Sequence, residues 1–314
     1  MSQHSSATLK SREAVSSPRA GLLWGLLGVL AFSFTVPFTR VAVAGLSPLF
    51  IGSGRAVVAA VLAALALALT RQRPPRGTQW WRLAVVAAGV VLGFPLLTSL
   101  ALATASASHG AVVIALLPAA TAVMTVVRTG ERPGLAFWIA ATIGAVAAVV
   151  FAALQGGGLG SLSWHDLLLF AAVLAAAVGY AEGGLLAREL GAWQTISWAL
   201  IVAAPLTMLL TGVAIAQQPP SATPTEWAAF GYLAVFSMFL GFFAWYRGLE
   251  IGPMAQVSQV QLVQPVFTLV WASMLLREPV GWLTMLGALA VIASAALAVR
   301  TRIRTPTLPP ERQS

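Results

Sequence analysis

Long apolar runs, broken at short intervals by polar turns, follow one another from about residue 20 to residue 300. About 20 mostly apolar residues cross the hydrocarbon of a bilayer as a helix. On that measure the pattern predicts ten spans: 20–44, 47–70, 83–104, 107–128, 134–154, 165–187, 194–217, 227–247, 253–276 and 280–300. Several connections are so short that consecutive helices must lie antiparallel. Ser47-Pro48 and Pro279 stand where helix-opening residues belong.

The pattern also repeats. At an offset of 147 residues Val113 falls on Val260, Pro118 on Pro265, Val123 on Val270, Glu131 on Glu278 and Ala148 on Ala295. Matches of Ala and Val mean little in such a sequence. The Pro and Glu matches mean more, because the chain holds only eight Glu. Five spans per unit is an odd number, so the second copy enters the membrane upside down. Many secondary transporters are built this way, with the substrate site near the midplane between the halves. The expected fold is an all-α integral membrane protein, ten transmembrane helices in two inverted five-helix repeats around a central cavity. Residues 1–19 form an N-terminal tail, 20–154 the first repeat, 155–164 a linker, 165–300 the second repeat and 301–314 a C-terminal tail.

Composition excludes an ordinary soluble protein, with 59% hydrophobic and 9% charged residues. The absence of Cys removes disulfides, thiolate metal sites and thiol nucleophiles. A net charge of +9 could suit nucleic acid, but the basic residues sit between apolar runs, as membrane loops require. With the N-terminus inside, only Arg40, Arg55 and Arg277 of the 18 Lys and Arg fall on the outer side. This asymmetry predicts two cytoplasmic termini. Ala42-Val43-Ala44 resembles a signal cleavage site, yet the run before it is too long for a signal peptide and contains Arg40. It is read as an uncleaved first span. Trp80, Trp81, Trp138, Trp164, Trp193, Trp227 and Trp282 fall at span ends, where their rings anchor to the interface. The Arg-rich, Lys-poor, Ala-rich usage suggests a bacterial genome of high GC content, and the expected location is the bacterial inner membrane.

The candidate chemistry lies inside the spans. The ninth carries Gln256, Gln259, Gln261 and Gln264. Desolvating an unpaired amide costs roughly 0.5–2 kcal/mol or more. Gln256 and Gln264 lie about 80° apart around a helix, and the four together cover more than half its circumference. They cannot all face one pathway, so Gln256 and Gln264 are the preferred substrate contacts, with Gln259 also a candidate. His109 is the repeat counterpart of Gln256, and Trp271 lies unusually deep in its span. Glu182, with Tyr180 beside it, is the acid well inside a span, either paired near Arg188 or a proton site. Arg40 and Arg55 either reach the outer surface or hold a substrate carboxylate. Glu131 and Glu278 precede helix starts and are read as caps. Pro37, Pro95, Pro118, Pro205 and Pro265 should kink their spans. The small residues Ala136, Ala140, Gly144 and Ala148 form a packing ridge. A lone His is no metal site, so none is expected.

Trp24-Gly25, Arg40, Arg55, the run from His109-Gly110-Ala111 to Pro118, Gly130-Glu131-Arg132-Pro133, and a second copy ending at Pro265 and Glu278 together form a pattern. In it the chain resembles members of the drug/metabolite transporter superfamily, EamA type. The resemblance implies a ten-helix fold with a central pathway that moves small metabolites, often amino acids outward. The expected protein is thus a transporter and not an enzyme, without cofactor. Its partners are a small-molecule substrate and the lipid bilayer, not nucleic acid, and it acts as a monomer or weak dimer. A proton-coupled drug or metabolite antiporter and a passive channel are the alternatives.

Overall fold

The structure, a computed structural model, describes residues 18–130, 134–155, 163–252, 257 and 260–302. All regular structure among them is helical. The helices are α1 (Pro18–Ser33), α2 (Thr35–Ala42), α3 (Pro48–Leu69), α4 (Gln79–Val86), α5 (Phe94–Leu102), α6 (Ala107–Ile114) and α7 (Leu117–Thr129). They continue as α8 (Leu135–Gln155), α9 (Trp164–Leu190), α10 (Ala192–Gln217), α11 (Pro224–Tyr232), α12 (Gly241–Ile251), α13 (Gln264–Leu276) and α14 (Trp282–Arg302). A π-helical segment, Ala87–Gly93, joins α4 to α5, and another, Leu233–Leu240, joins α11 to α12. Eight continuous stretches, from Arg19–Ala42 to Pro224–Ile251, are long and apolar enough to cross a membrane. Two shorter apolar helices, Gln261–Leu276 and Trp282–Ala298, follow them. The chain is a multi-pass membrane protein.

Local chemistry sets the ends. The Ser47 hydroxyl accepts from Phe50 N at 3.2 Å with Pro48 in the first turn, and Ser106 accepts from His109 N at 3.1 Å. Ser163 with Asp166, and Thr223 with Glu226, form capping boxes at the starts of α9 and α11. The C-cap residues of α7 and α13, Gly130 (φ 71°) and Arg277 (φ 54°), are both left-handed. These two positions lie 147 residues apart, as do the starts and ends of α7 and α13 and the starts of α8 and α14.

Packing follows small residues. α3 lies along α10, α8 along α14 and α1 along α12, while α9 packs on α5 and the first π segment. A Cβ added at Gly248 would stand 2.7 Å from Gly25 N, and one at Gly21 would stand 2.9 Å from Gly252 N. α1 and α12 therefore touch backbone to backbone, which gives Gly25 its structural purpose. Along α8, Ala140, Gly144 and Ala148 are buried and face α14, but Ala136 points outward and leaves the expected ridge. Leu65, Leu69, Ile143, Leu209 and Leu289 face outward as a surface for acyl chains, and Trp81, Trp164 and Trp282 are exposed at helix ends.

Candidate functional site

The first crossing breaks between α1 and α2 because Pro37 has no N–H to give the Ser33 carbonyl. Thr268 Oγ1 lies 3.0 Å from that carbonyl and 3.0 Å from the Gln264 carbonyl of its own helix, so its one proton is shared between them. Trp271 Nε1 donates to Ser33 Oγ at 2.9 Å. Trp271 also stacks on Phe34, with ring centroids 4.4 Å apart and 15° between planes. The break is thus held by α13, and Trp271 supports it. Beyond the break, Thr35 Oγ1 shares a 2.7 Å hydrogen bond with Ser237 Oγ in the second π segment. Both π segments, through Val90 and Ser237, border the same small central cavity.

That cavity, about 20 Å³, is lined by Phe32, Thr35, Arg55, Tyr180, Phe242 and Gln264 among others. A neighbouring cavity of about 10 Å³ lies between Pro118, Pro265, Gln261 and Gln264. Arg55 does not reach a surface. It is 1% exposed, and among the described residues its Nε and Nη2 atoms have no hydrogen-bond partner. Gln264 Oε1 and Gln261 Nε2 are likewise buried without partners among the described residues. A guanidinium at the centre of a membrane helix costs about 2.5–3.5 kcal/mol on insertion scales even after relaxation. Arg40 behaves differently: its Nη1 donates to the carbonyls of Leu102 and Ala103 at 3.1 and 3.3 Å, at the C-terminal end of α5.

Two wider vestibules lie at opposite ends of the bundle. One, about 580 Å³, opens at the end where α1 begins and is lined by Thr78, Trp81, Arg82, Arg128 and Glu182. The Glu182 carboxylate accepts from Arg82 Nε and, at 2.5 Å, from Arg128 Nε, while Arg82 Nη1 reaches Glu189 at 2.5 Å. Arg188, the partner expected from sequence proximity, lies exposed, and α4 and α7 supply the guanidiniums instead. The other vestibule, about 540 Å³, is lined by Arg40, Thr223, Glu226 and Glu278. Glu278 is a cap, though not of the helix that follows it. Its two oxygens accept from Ala107 N and Ser108 N at 2.9 and 2.8 Å, and so close the start of α6.

His109 stands apart from the central cavity. Its Nε2 bonds Asp166 Oδ1 at 2.6 Å, and Asp166 is fully buried. His165 joins them, with ligand atoms of all three within 4.8 Å of one another. His109 is therefore not isolated, and only its closeness in space to the start of α9 could have revealed the grouping. Of the residues selected from sequence, the structure gathers Tyr180 and Gln264 at the cavity, while Trp271 braces the break between α1 and α2. Glu182 lines a vestibule instead. Gln256, Gln259 and Glu131 lie outside the described residues. Arg55, left undecided between surface and substrate, is the cavity's charged member.

Comparison with known proteins agrees with this architecture. The profile of the EamA-like transporter family matches twice, over residues 19–153 and 163–300. An uncharacterized transporter, YdeK, of Bacillus subtilis (strain 168) is 44% identical over 288 residues, covering 89% of this chain and 97% of that protein. A protein of known crystal structure shares the fold at a TM-score of 0.62 and 19% identity, over 93% of this chain and all of that one. On these matches, this multi-pass chain belongs to the EamA-like transporter family.

Proposed function

We propose that the chain is a secondary transporter that exports small polar metabolites, amino acids foremost, across the bacterial inner membrane by alternating access. The observation that carries this reading is the closed centre. Vestibules of about 580 and 540 Å³ approach from opposite ends, but the space between them shrinks to about 20 Å³ and 10 Å³. A channel needs a continuous lined pore. A carrier needs a centre that opens to one side at a time.

The shared 147-residue spacing of helix boundaries supports ten crossings in two inverted repeats, with both halves contributing to the midplane. The first, sixth and ninth crossings supply Phe32, Tyr180 and Gln264 to the cavity, and Trp271 braces the wall. Gln256 and Gln259 remain proposed contacts on their sequence placement. The charge asymmetry supports two cytoplasmic termini, and nothing in the proposed cycle requires more than a monomer or weak dimer. Counterflow in proteoliposomes tests the reading. A preloaded amino acid should drive saturable uptake of its labelled form, whereas unsaturable conductance would mean a channel.

A second reading is proton-coupled antiport through Glu182, which lines the vestibule at the end where α1 begins. Its ion pairs with Arg82 and Arg128 favour the charged carboxylate, so carrying a proton there requires those pairs to part during the cycle. If it carries the proton, Glu182→Gln abolishes pH-driven transport and leaves exchange intact. Unchanged pH dependence in that variant removes the reading.

A further inference from the structure

We infer that Arg55 is the anchor for a carboxylate on the transported solute, with Gln264 accepting from that solute's amino group. The inference rests on the transporter reading and names the chemical class of its substrate.

The charge balance comes first. The described residues include six acids, and each is engaged elsewhere. Asp166 bonds His109 and Ser163, Glu182 and Glu189 bond Arg82, and Glu250 bonds Arg247. Glu226 closes its own helix start at Thr223, and Glu278 closes α6. None is left to neutralise Arg55. Its counter-charge therefore comes from outside the described chain.

The geometry comes second. Nε and Nη2, the two nitrogens without partners among the described residues, form the side of a guanidinium that presents two parallel N–H groups. That fork matches the two oxygens of a carboxylate. The Gln264 oxygen, also without a partner, borders the same cavity, so an acceptor stands ready near the donor fork. Phe32, Val36, Met238 and Phe242 supply an apolar wall. A solute with a carboxylate, an amino group and a compact apolar remainder satisfies all three. At about 20 Å³ the cavity holds roughly one water, so it must widen to admit this solute. The repeat counterpart of Arg55 is Val202, so the charge has no twin across the midplane. One carboxylate suffices.

The test uses the purified full-length protein and a panel of neutral amino acids, each beside its amide and its decarboxylated amine. Thermal stabilisation reads binding, and proteoliposome counterflow reads transport. The wild type should be stabilised by amino acids and not by the corresponding amides or amines. Arg55→Gln should lose affinity about 10- to 100-fold, and Arg55→Lys, which keeps charge without the fork, should fall between. With no ligand present, Arg55→Gln should melt no lower than wild type, because it removes a charge that has no partner. A lower melting point would show that Arg55 serves the fold, and would overturn the anchor. Equal binding of acid, amide and amine, or binding of none, would overturn it too. Selective binding without counterflow supports the anchor and refutes transport. Counterflow that ignores the carboxylate refutes the anchor alone.

Discussion

Glu182 shows how a single acid can be visible in a sequence while its role is not. Its isolation in an apolar span was legible, but its partners lie 100 and 54 residues away on other helices. Glu182→Gln should destabilise the protein by about 2 kcal/mol. That figure is set below the loss typical of a fully buried pair, because the Arg128 side chain is half exposed. Denaturation of the purified protein would check it, and no change would mean that the two arginines are satisfied by water. The amides of the ninth span were visible for the same reason, and Gln264 does meet a cavity. Arg55 could not be settled from sequence. A residue seven positions into a helix can snorkel or turn inward, and only the facing helices decide.

At the scale of elements, the break at Ser33 shows what sequence gives and withholds. Pro37 announced a kink. It could not announce that Thr268 would satisfy the freed carbonyl. Thr268→Val should leave Ser33 O unsatisfied and cost about 1–3 kcal/mol, read as a lower melting temperature, while Thr268→Ser should restore most of it. A harmless valine would mean that the break needs no brace. The helix pair α1–α12 makes a second test. Because Gly248 meets Gly25 backbone to backbone, Gly248→Leu must push the helices apart and should lower both folded yield and melting temperature. Unchanged stability would show the approach to be looser than it is drawn. The two π segments had no signal in the sequence, since a π turn inserts a residue without changing composition.

At the scale of the whole molecule, apolar length was enough to read an all-helical, multi-pass chain, and the Pro and Glu echoes suggested an internal offset. The offset they suggested also spaces the starts of α7, α8, α13 and α14. The vestibules were not legible, because they arise from how crossings lean on one another. The natural absence of cysteine makes the membrane arrangement directly testable, since a single introduced thiol is the sole site of labelling. Thr78→Cys, at one vestibule, should react with a membrane-impermeant thiol reagent only from the cytoplasmic side, and Thr225→Cys only from the periplasmic side. The opposite pattern would invert the proposed topology. The most direct test of the central claim places the cysteine in the middle, as Ser237→Cys beside the closed cavity. Alternating access predicts labelling from either side of the membrane, with transported solute shifting reactivity from one side to the other. Simultaneous, solute-independent labelling from both sides, or none from either, would contradict it.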